Sequence, residues 1–398
     1  MKLFMIGFGQ AGGKIVDLFV EYDKRTKQNA IVRALAINTA KADLLGLKHI
    51  PMEDRLLIGQ SIVKGHGVGA DNELGAKVAA EDIYTIQSAI DKRGTHEVDA
   101  FLIVAGLGGG TGSGGAPVLA RRLRRLYIEP VYALGILPAK DEGALYSLNA
   151  ARSLKSLINE VDNLFLFDND LWKREGETLQ DAYRYMNEEI VRRFSVLIGA
   201  GEAGNSGSSS VGEMVVDSSE IINTLRGGGI TAVGYASEEV KRKKGVGLGG
   251  LFGRRKERSS LESLDTTTRI TSLVRRAVMG RLTIQCDVRT AERALVLLAG
   301  PPEELDRKGI EKAKLWVESL IRGTEVRGGD HPIPKANSVA AVVLFSGVTD
   351  IPRLKELQKI ALEAQESLRS LSTETEEKVV DFFEDDSLKP LIDEGDDF

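Results

Sequence analysis

Eight residues, Gly108 to Gly115, read Gly-Gly-Gly-Thr-Gly-Ser-Gly-Gly and follow directly on residues 99 to 107, a run typical of a buried strand. Glycine lets the backbone expose successive N–H groups in a tight concave turn. Such a turn at the start of a helix attracts an anion through amide donors and the helix dipole. A helical pattern follows from Ala116, with Pro117 just inside its start. The segment therefore favours a phosphate-binding loop over a flexible linker.

The bulk composition excludes several classes of protein. The chain has 398 residues, 42% of them hydrophobic, and no run long enough to cross a membrane. It enters an apolar strand at its first residues, so neither a signal peptide nor a transit segment is predicted and the expected compartment is the cytoplasm. A single cysteine, Cys286, excludes an internal disulfide, and the four histidines are too scattered for zinc. No metal site built from side chains is predicted.

The net charge of −5 is unevenly distributed. Residues 372 to 398 contain eleven Asp or Glu and two Lys, a charge of −9, which leaves about +4 on the other 371 residues. A nucleic-acid-binding protein usually carries a strong basic excess on its folded part. We therefore expect no nucleic-acid partner and a disordered acidic tail.

The order of apolar strands and amphipathic helices predicts two units. Strand patterns near residues 2–6, 31–37, 99–105, 131–136 and 162–167 alternate with helices, which indicates a parallel sheet covered on both faces. A long helix is predicted from about Thr178 to Ile198, followed by a Gly/Ser-rich segment. A smaller mixed unit then has strands near 230–236, 293–299 and 339–346 and helices near 267–280, 304–321 and 352–371. The predicted divisions are 1–199, 200–229, 230–371 and 372–398.

Two further glycine loops precede helices in the first unit. Residues 7 to 12 (loop 1) match GxGxxG after a strand, and residues 65 to 72 (loop 2) precede a helical pattern running from Glu73 to Ile90. Residues 108 to 115 form loop 3. Loop 1 invites a dinucleotide interpretation, but the next strand ends in Asn38-Thr39 instead of an acid for a ribose. Each loop separately is also consistent with a tight turn; together, at one sheet edge, they could surround a triphosphate.

At this point the chain resembles a known family. The segment GGGTGSG in loop 3 resembles the signature of the tubulin and FtsZ superfamily of polymerising GTPases, and the likeness extends over the chain apart from residues 241–258 and the tail. Residues 7–14, 41–51 and 64–75 resemble the archaeal CetZ group in particular. The resemblance implies an α/β fold: a Rossmann-like parallel-sheet GTPase domain joined by a long central helix to a smaller mixed α+β domain. It also implies GTP or GDP with Mg²⁺, and head-to-tail self-assembly.

The resemblance assigns nucleotide-binding residues one by one. Phosphate contacts fall on loops 1 to 3, Glu142 falls where the family holds the ribose, and Asn169, Tyr183 and Asn187 fall at the base. Where FtsZ has an arginine, this chain has Tyr146. The residues alone leave adenine open, and Tyr183 could be a core aromatic. The implied binding residues are Gly9, Gln10, Ala11, Gly12, Asn38, Gly69, Ala70, Asp71, Gly108, Gly109, Gly110, Thr111, Gly112, Glu142, Asn169, Tyr183 and Asn187.

No group near the glycine loops is an obvious candidate for positioning an attacking water. Asp217-Ser-Ser-Glu220 resembles the acids that this family inserts into the next subunit, so Asp217 and Glu220 are the candidate catalytic residues. Two carboxylates three residues apart lie on one side of a helical turn. The same spacing is that of a capping box, and both roles can coexist. FtsZ has an Asn at the position of Val215.

The predicted function is therefore a cytoskeletal GTPase that polymerises head to tail, with control of archaeal cell shape as its role. A division-ring GTPase of the FtsZ type, an NAD-dependent dehydrogenase and a non-catalytic scaffold remain as alternatives. The glycine-rich basic loop at residues 241–258 falls where tubulin makes side-by-side contacts, and is equally typical of a solvated insertion. The acidic tail resembles the segments by which FtsZ meets adaptor proteins, or it serves solubility alone.

Overall fold

The computed structural model describes residues 1–174, 176–200, 216–240 and 260–383. Most of the predicted Gly/Ser-rich segment, the basic loop at 241–258 and the end of the acidic tail therefore lie outside the described residues. No helix of the described part is both long and apolar enough to cross a bilayer.

The strands of the described residues form one sheet in the order β3-β2-β1-β4-β5-β6-β7-β10-β8-β9. All pairs from β3 to β7 are parallel, whereas β10 is antiparallel to both β7 and β8. The strands are β1 Leu3–Phe8, β2 Ile31–Asn38, β3 Arg55–Leu57, β4 Ala100–Gly106, β5 Val131–Leu137, β6 Asn163–Asp168, β7 Ile230–Glu239, β8 Arg293–Gly300, β9 Glu325–Pro332 and β10 Ser338–Val348. Strands β1 to β6 lie within the residues of the first predicted unit, and β7 to β10 lie within those of the second.

Helices cover both faces of this sheet. They are α1 Gly9–Thr26, α2 Lys41–Leu45, α3 Gln60–Val63, α4 Asn72–Glu81, α5 Ile83–Asp91, α6 Thr111–Leu126, α7 Ala144–Leu157, α8 Asn169–Trp172, α9 Leu179–Ala200, α10 Ser218–Leu225, α11 Ser260–Met279, α12 Arg307–Leu320 and α13 Pro352–Phe383. The predicted long central helix is α9.

Alternation along β1 shows how the sheet separates two cores. Phe4 and Phe8 belong to the hydrophobic cluster under α4, α6 and α7, while Leu3 and Met5 belong to the cluster under α1, α9 and α10. Every residue of β1 is buried. A strand covered on both faces reads as a continuous apolar run, which is why this part of the fold was predictable.

Three local features differ from the sequence predictions. β3 and β9 were not predicted: β3 has three residues, and β9 reads Glu-Val-Arg-Gly-Gly-Asp-His-Pro, whose composition is typical of a loop. β9 instead forms a parallel ladder with β8 along its whole length. The helix predicted from Glu73 to Ile90 divides at Asp82, whose carboxylate accepts a hydrogen bond from the Gly59 N–H at 2.6 Å.

Helix α13 extends into the first part of the acidic tail. α13 continues to Phe383, so the prediction of disorder from residue 372 is wrong for residues 372 to 383. This stretch contains no Gly or Pro and includes good helix formers, so the helix propagates from the packed segment before it. Residues 384–398 lie outside the described part.

Candidate functional site

The three glycine loops meet at the carboxyl ends of β1, β2, β4, β5 and β6. They surround a cavity of about 700 Å³, which is within the range of small-molecule sites. The side chains and backbone of the predicted binding residues line it, except for Gly12 and Asp71. Open parallel sheets bind ligands at this edge, since loops from neighbouring strands converge there.

Loop 1 leads from β1 into α1. Gly9, the first residue of α1, has φ of 74°, a conformation that favours glycine. Gly12, a predicted phosphate contact, also has a packing role: a Cβ on it would lie 2.0 Å from the carbonyl oxygen of Val104 on β4. The absence of that Cβ lets α1 approach the sheet and directs its N-terminus at the cavity.

Loop 3 leads into α6 and its last five residues form the first turn of that helix. The helix begins at Thr111 and not near Ala116 as predicted. Pro117 is consequently inside the helix, where it cannot donate to the carbonyl of Ser113. The hydroxyl of Ser153 on α7 donates to that carbonyl at 2.7 Å and replaces the missing hydrogen bond. A Cβ built on Gly109 would meet nothing within 4 Å, so this part of the loop is open to the cavity.

Loop 2 presents two consecutive residues in the left-handed region, Gly69 at φ 58° and Ala70 at φ 63°. Ala70 is strained in this conformation. Asn149 on α7, which is buried, donates to the carbonyl of Ala70 at 2.7 Å and to that of Gly108 at 2.9 Å. One side-chain amide thus joins loop 2 to loop 3.

Asp71, a predicted phosphate contact, lies outside the cavity lining and has a local structural role. Its N–H donates to the carbonyl of Val68 at 3.0 Å, and its carboxylate accepts from the N–H of Leu74 at 2.9 Å. Asp71 is therefore the N-cap of α4. Gly69 and Ala70 of the same loop line the cavity.

A hydrogen-bonded group of polar side chains connects loop 1 with the end of β2. Asp43 accepts from Gln10 Nε2 at 2.8 Å and from Asn38 Nδ2 at 3.1 Å. The side-chain oxygen of Asn38 accepts from the N–H groups of Thr39 and Ala40, so Asn38 shapes the cavity wall. Thr39 and Thr111 share a hydroxyl–hydroxyl bond of 2.7 Å, which joins this group to loop 3.

Asn149, Asp43 and Lys14 are site residues that sequence reasoning missed. Asp43 and Lys14 line the cavity, and Lys14 adds a cation beside loop 1. Asn149 had one usable signal, because it is a polar residue on the buried face of an amphipathic helix. A buried amide has to find hydrogen-bond partners, and here the partners are two loops far away in the chain.

Glu142, Asn169, Tyr183 and Asn187, the residues predicted to hold the ribose and the base, all line the cavity. Glu142 Oε1 accepts from the N–H of Ala139 at 2.7 Å, which fixes its loop. Tyr183 is 36% exposed at the cavity, so it is no core aromatic. Burial, then the nearby carboxylate of Glu142, raises the pKa of Tyr183 to about 12, so the phenol stays protonated.

The candidate acids stand on α10, outside the cavity lining. Asp217 is the N-cap of α10 and accepts from the N–H of Glu220 at 3.0 Å, so the capping role is confirmed for Asp217. Hydrogen bonds from Ser219 and from the Glu220 backbone hold the pKa of Asp217 below its usual range. Burial and the charge of Asp217 raise the pKa of Glu220.

Helix α10, which carries the acids, begins beside the mixed half of the sheet. The N–H of Val216 donates to the carbonyl of Asp330 on β9 at 3.4 Å, which places the start of α10 beside that strand. The positive charges of Arg327 on the same strand and Lys314 on α12 partly offset the rise in the pKa of Glu220. The cavity of one chain is thus lined by residues of the three glycine loops and by neither of the acids. Among the described residues, no group of three or more His, Cys, Asp or Glu could hold a metal ion.

Comparisons with known proteins agree with this geometry. The family model of the tubulin/FtsZ GTPase domain matches residues 2–176, and that of the tubulin-like CetZ C-terminal domain matches residues 176–363. The tubulin-like protein CetZ1 of Haloferax volcanii is 60% identical over 374 residues, which cover 93% of this chain and 94% of that protein.

Solved structures show the same likeness. A GDP-bound monomer of CetZ1 from Haloferax volcanii is 59% identical with a TM-score of 0.81, and the match covers 92% of this chain and all of that one. A GTPγS-bound protofilament of CetZ2 from the same organism is 43% identical with a TM-score of 0.80, and covers 93% of this chain and 100% of that one. The resemblance indicated by loop 3 is confirmed. This chain belongs to the tubulin/FtsZ family and is a CetZ-type, tubulin-like cytoskeletal GTPase.

Proposed function

We propose that this protein binds GTP with Mg²⁺ in the cavity, polymerises head to tail, and hydrolyses the GTP with Asp217 and Glu220 of the next copy. The observation that carries the proposal is the separation of the two halves of the site. Loops 1 to 3 line the cavity, and α10 with both acids contributes nothing to that lining. A site that is incomplete in one chain becomes complete only when a second chain supplies the missing part.

Binding of the triphosphate rests on main-chain groups. The N-termini of α1 and α6 line the cavity, and each offers the N–H groups of its first turn and a positive dipole end, while loop 2 adds the backbone of Gly69 and Ala70. Lys14 adds a side-chain charge. At the other end, Tyr183 offers a face for stacking, and Asn187, one helical turn later, offers an amide for the base edge. The guanine nucleotides in the two solved CetZ relatives support guanine as the base.

The donor set of the cavity fits magnesium. Mg²⁺ prefers oxygen ligands and usually takes one or two from protein, with the rest from phosphate and water. The Asp43 carboxylate lines the cavity, and Gln10 uses its Nε2 to donate to Asp43, which leaves its side-chain oxygen available. We propose these two residues as the protein ligands. When bound, the ion supplies neutralisation of the charge on the phosphate oxygens.

The two acids suit different parts of the hydrolysis. Glu220 has a raised pKa, which brings a carboxylate nearer to the basicity needed to accept a proton from water. Asp217 has a lowered pKa and stays charged, so it can orient the same water. Asp217 also fixes the first turn of α10 on which Glu220 stands.

Self-assembly follows from this division of the site. A contact between the cavity of one copy and α10 of the next joins two different surfaces, and such a heterologous contact propagates into a filament when its rotation does not close. The protofilament of the relative CetZ2 supports this arrangement. Turnover per molecule should therefore rise with protein concentration.

The test combines two inactive variants. Glu220→Gln should bind GTP as the wild type does and lose turnover about 100-fold or more. Gly109→Glu should lose GTP binding, because a carboxylate at this open position repels the phosphates. Mixing the two variants should restore turnover, because the intact cavity of the first meets the intact acids of the second.

The matched control is Glu311→Gln, an exposed Glu on α12, which should leave turnover unchanged. Turnover per molecule that stays constant on dilution, or a mixture that remains inactive while both variants still co-assemble with wild type, would contradict the proposal. Phosphate release that is absent from wild-type polymers would instead favour a non-catalytic scaffold.

We propose control of cell shape in the cytoplasm as the cellular role, because the second half of the chain matches the CetZ C-terminal domain. Loss of shape with normal division in a deletion strain would support this role, and loss of division would favour an FtsZ-type ring. The tail is proposed to bind adaptor proteins. A nicotinamide titration tests the dehydrogenase alternative, which the end of β2 at Asn38 disfavours.

A further inference from the structure

The first turn of α13 reaches the back of the cavity at its ribose and base end. α13 begins at Pro352, and the side chain of its second residue, Arg353, is only 4% exposed. A buried guanidinium carries a large desolvation cost, so its partners decide whether it can be tolerated. Those partners belong to the nucleotide-binding half of the protein.

Arg353 contacts two segments that the chain separates widely. Its Nη2 donates to the carbonyl of Pro138 at 2.9 Å, and its Nε lies 3.4 Å from Oδ1 of Asp168. Its Nη1 is 3.2 Å from Glu356 on the next turn of α13, which orients the guanidinium. Asp168 is 2% exposed, so this pair is shielded from water.

Each of these segments carries a proposed nucleotide contact. Pro138 lines the cavity and opens the short loop that ends at Glu142, the proposed ribose residue. Asp168 is the N-cap of α8, where its carboxylate accepts from the N–H of Asp170 at 3.2 Å. Asn169, the proposed base residue, is the first residue of that helix.

A second, exposed link runs parallel to the first. Lys140, in the loop after Pro138, pairs with Glu356 of α13 at 2.8 Å and with Asp170 at 3.8 Å. Screening by solvent makes such exposed pairs weak. The buried contacts of Arg353 therefore carry most of the connection.

We infer that Arg353 is a positioning residue for the nucleoside half of the bound nucleotide, and that it ties this half of the cavity to helix α13. The inference rests on the proposed function. Among the described residues, the hydrogen bonds and ion pairs of Arg353 involve Pro138, Asp168 and Glu356, and none of them involves loops 1 to 3 or helices α1, α4 and α6. Arg353 acts on recognition of ribose and base, and leaves the phosphate cradle unaffected.

The burial of Asp168 supports the inference that the loop ends at Pro138 and Asp168 depend on Arg353. Burial raises the pKa of Asp168 to about 6 against the attraction of Arg353. Without Arg353, the carboxylate would lose the charge that favours its ionised form, and the N-cap of α8 would weaken. The Pro138 carbonyl would lose its buried donor at the same time.

The test compares GTP with inorganic tripolyphosphate as ligands of the full chain. Arg353→Met should weaken GTP binding about tenfold, because a buried charge-assisted hydrogen bond to the ribose loop is lost, and should leave tripolyphosphate binding unchanged. Arg353→Lys should restore part of the GTP affinity. Lys355→Met, on the same helix and 75% exposed, should change neither affinity.

Equal weakening of both ligands in Arg353→Met would indicate general loss of structure and overturn the inference, as would two unchanged affinities. If Arg353→Met does not fold, Asp168→Asn combined with Arg353→Met removes both charges of the buried pair and carries the same expectation. Failure of the wild type to bind GTP would instead refute the proposed function, so the two failures are distinguishable.

Discussion

Replacing Asn149 by alanine tests whether one buried amide holds the phosphate loops together. Its Nδ2 donates to the carbonyl of Ala70 at 2.7 Å and to the carbonyl of Gly108 at 2.9 Å. Ala70 is in the left-handed region at φ 63°, a conformation that costs about 1 to 2 kcal/mol for a residue with a Cβ. In Asn149→Ala, this strained residue loses the contact that opposes its relaxation.

The magnitude follows from the two lost bonds. Each net hydrogen bond contributes about 1 kcal/mol to the free energy of unfolding, and an unsatisfied buried carbonyl costs about 1 to 3 kcal/mol. Relaxation of loop 2 and entry of water limit the total to roughly 2 kcal/mol, which corresponds to a drop of about 4 °C in melting temperature at roughly 2 °C per kcal/mol. Binding of GTP has to reorder the relaxed loop, so its Kd should rise about tenfold.

Thermal unfolding and a GTP titration measure both effects. The matched control is Asn159→Ala, because Asn159 is exposed and donates only to the carbonyl of Lys155 at 3.1 Å. The control should shift the melting temperature by no more than about 1 °C. If Asn149→Ala matched the control in both measurements, the proposed connection between loops 2 and 3 would be refuted.

Three further predictions concern separate parts of the molecule. Ser153→Ala should lower the melting temperature by about 2 to 4 °C, because Pro117 cannot donate to the carbonyl of Ser113 and the replacing hydroxyl is gone. Tyr183→Leu should weaken GTP binding about tenfold and leave tripolyphosphate binding unchanged, since base stacking is lost and the phosphate loops are intact. Burial lowers the pKa of His331 to about 4, so the unfolded chain binds its proton more readily than the folded one between about pH 6.5 and 4. Denaturation measured across this range should show the free energy of unfolding decreasing as the pH is lowered, by up to about 1.4 kcal/mol per pH unit from this residue. His331→Gln should remove that part of the slope.

Most of the glycine-loop end of the cavity could be predicted because its signals are local. Loops 1 and 3 each follow an apolar strand and precede a helix, so a short stretch of sequence contains the strand, the turn and the anion-binding helix start. The limits of local reading appear inside these loops. Gly12 of loop 1 admits α1 to the sheet and Asp71 of loop 2 caps α4, and neither role is visible in the glycine pattern.

The missed residues have in common that their partners are distant in sequence. Asn149 joins two loops, Arg353 joins Pro138 to Asp168, and Ser153 satisfies a carbonyl on α6. A helical period can show that such a residue is buried, but it does not identify the partner, because a hydrogen-bond partner 40 or more residues away is defined only by the packing of helices on the sheet.

The amino-acid sequence by itself determined the strand-and-helix order apart from β3 and β9, the glycine loops and the family, because hydrophobic period and glycine spacing act over a few neighbouring residues. The tertiary structure alone decided which glycines pack and which open onto the cavity, which buried polar groups hold the loops, and that α10 and its acids stand apart from the cavity. These outcomes depend on where elements remote in the chain meet, and on the need of every buried polar group for a partner.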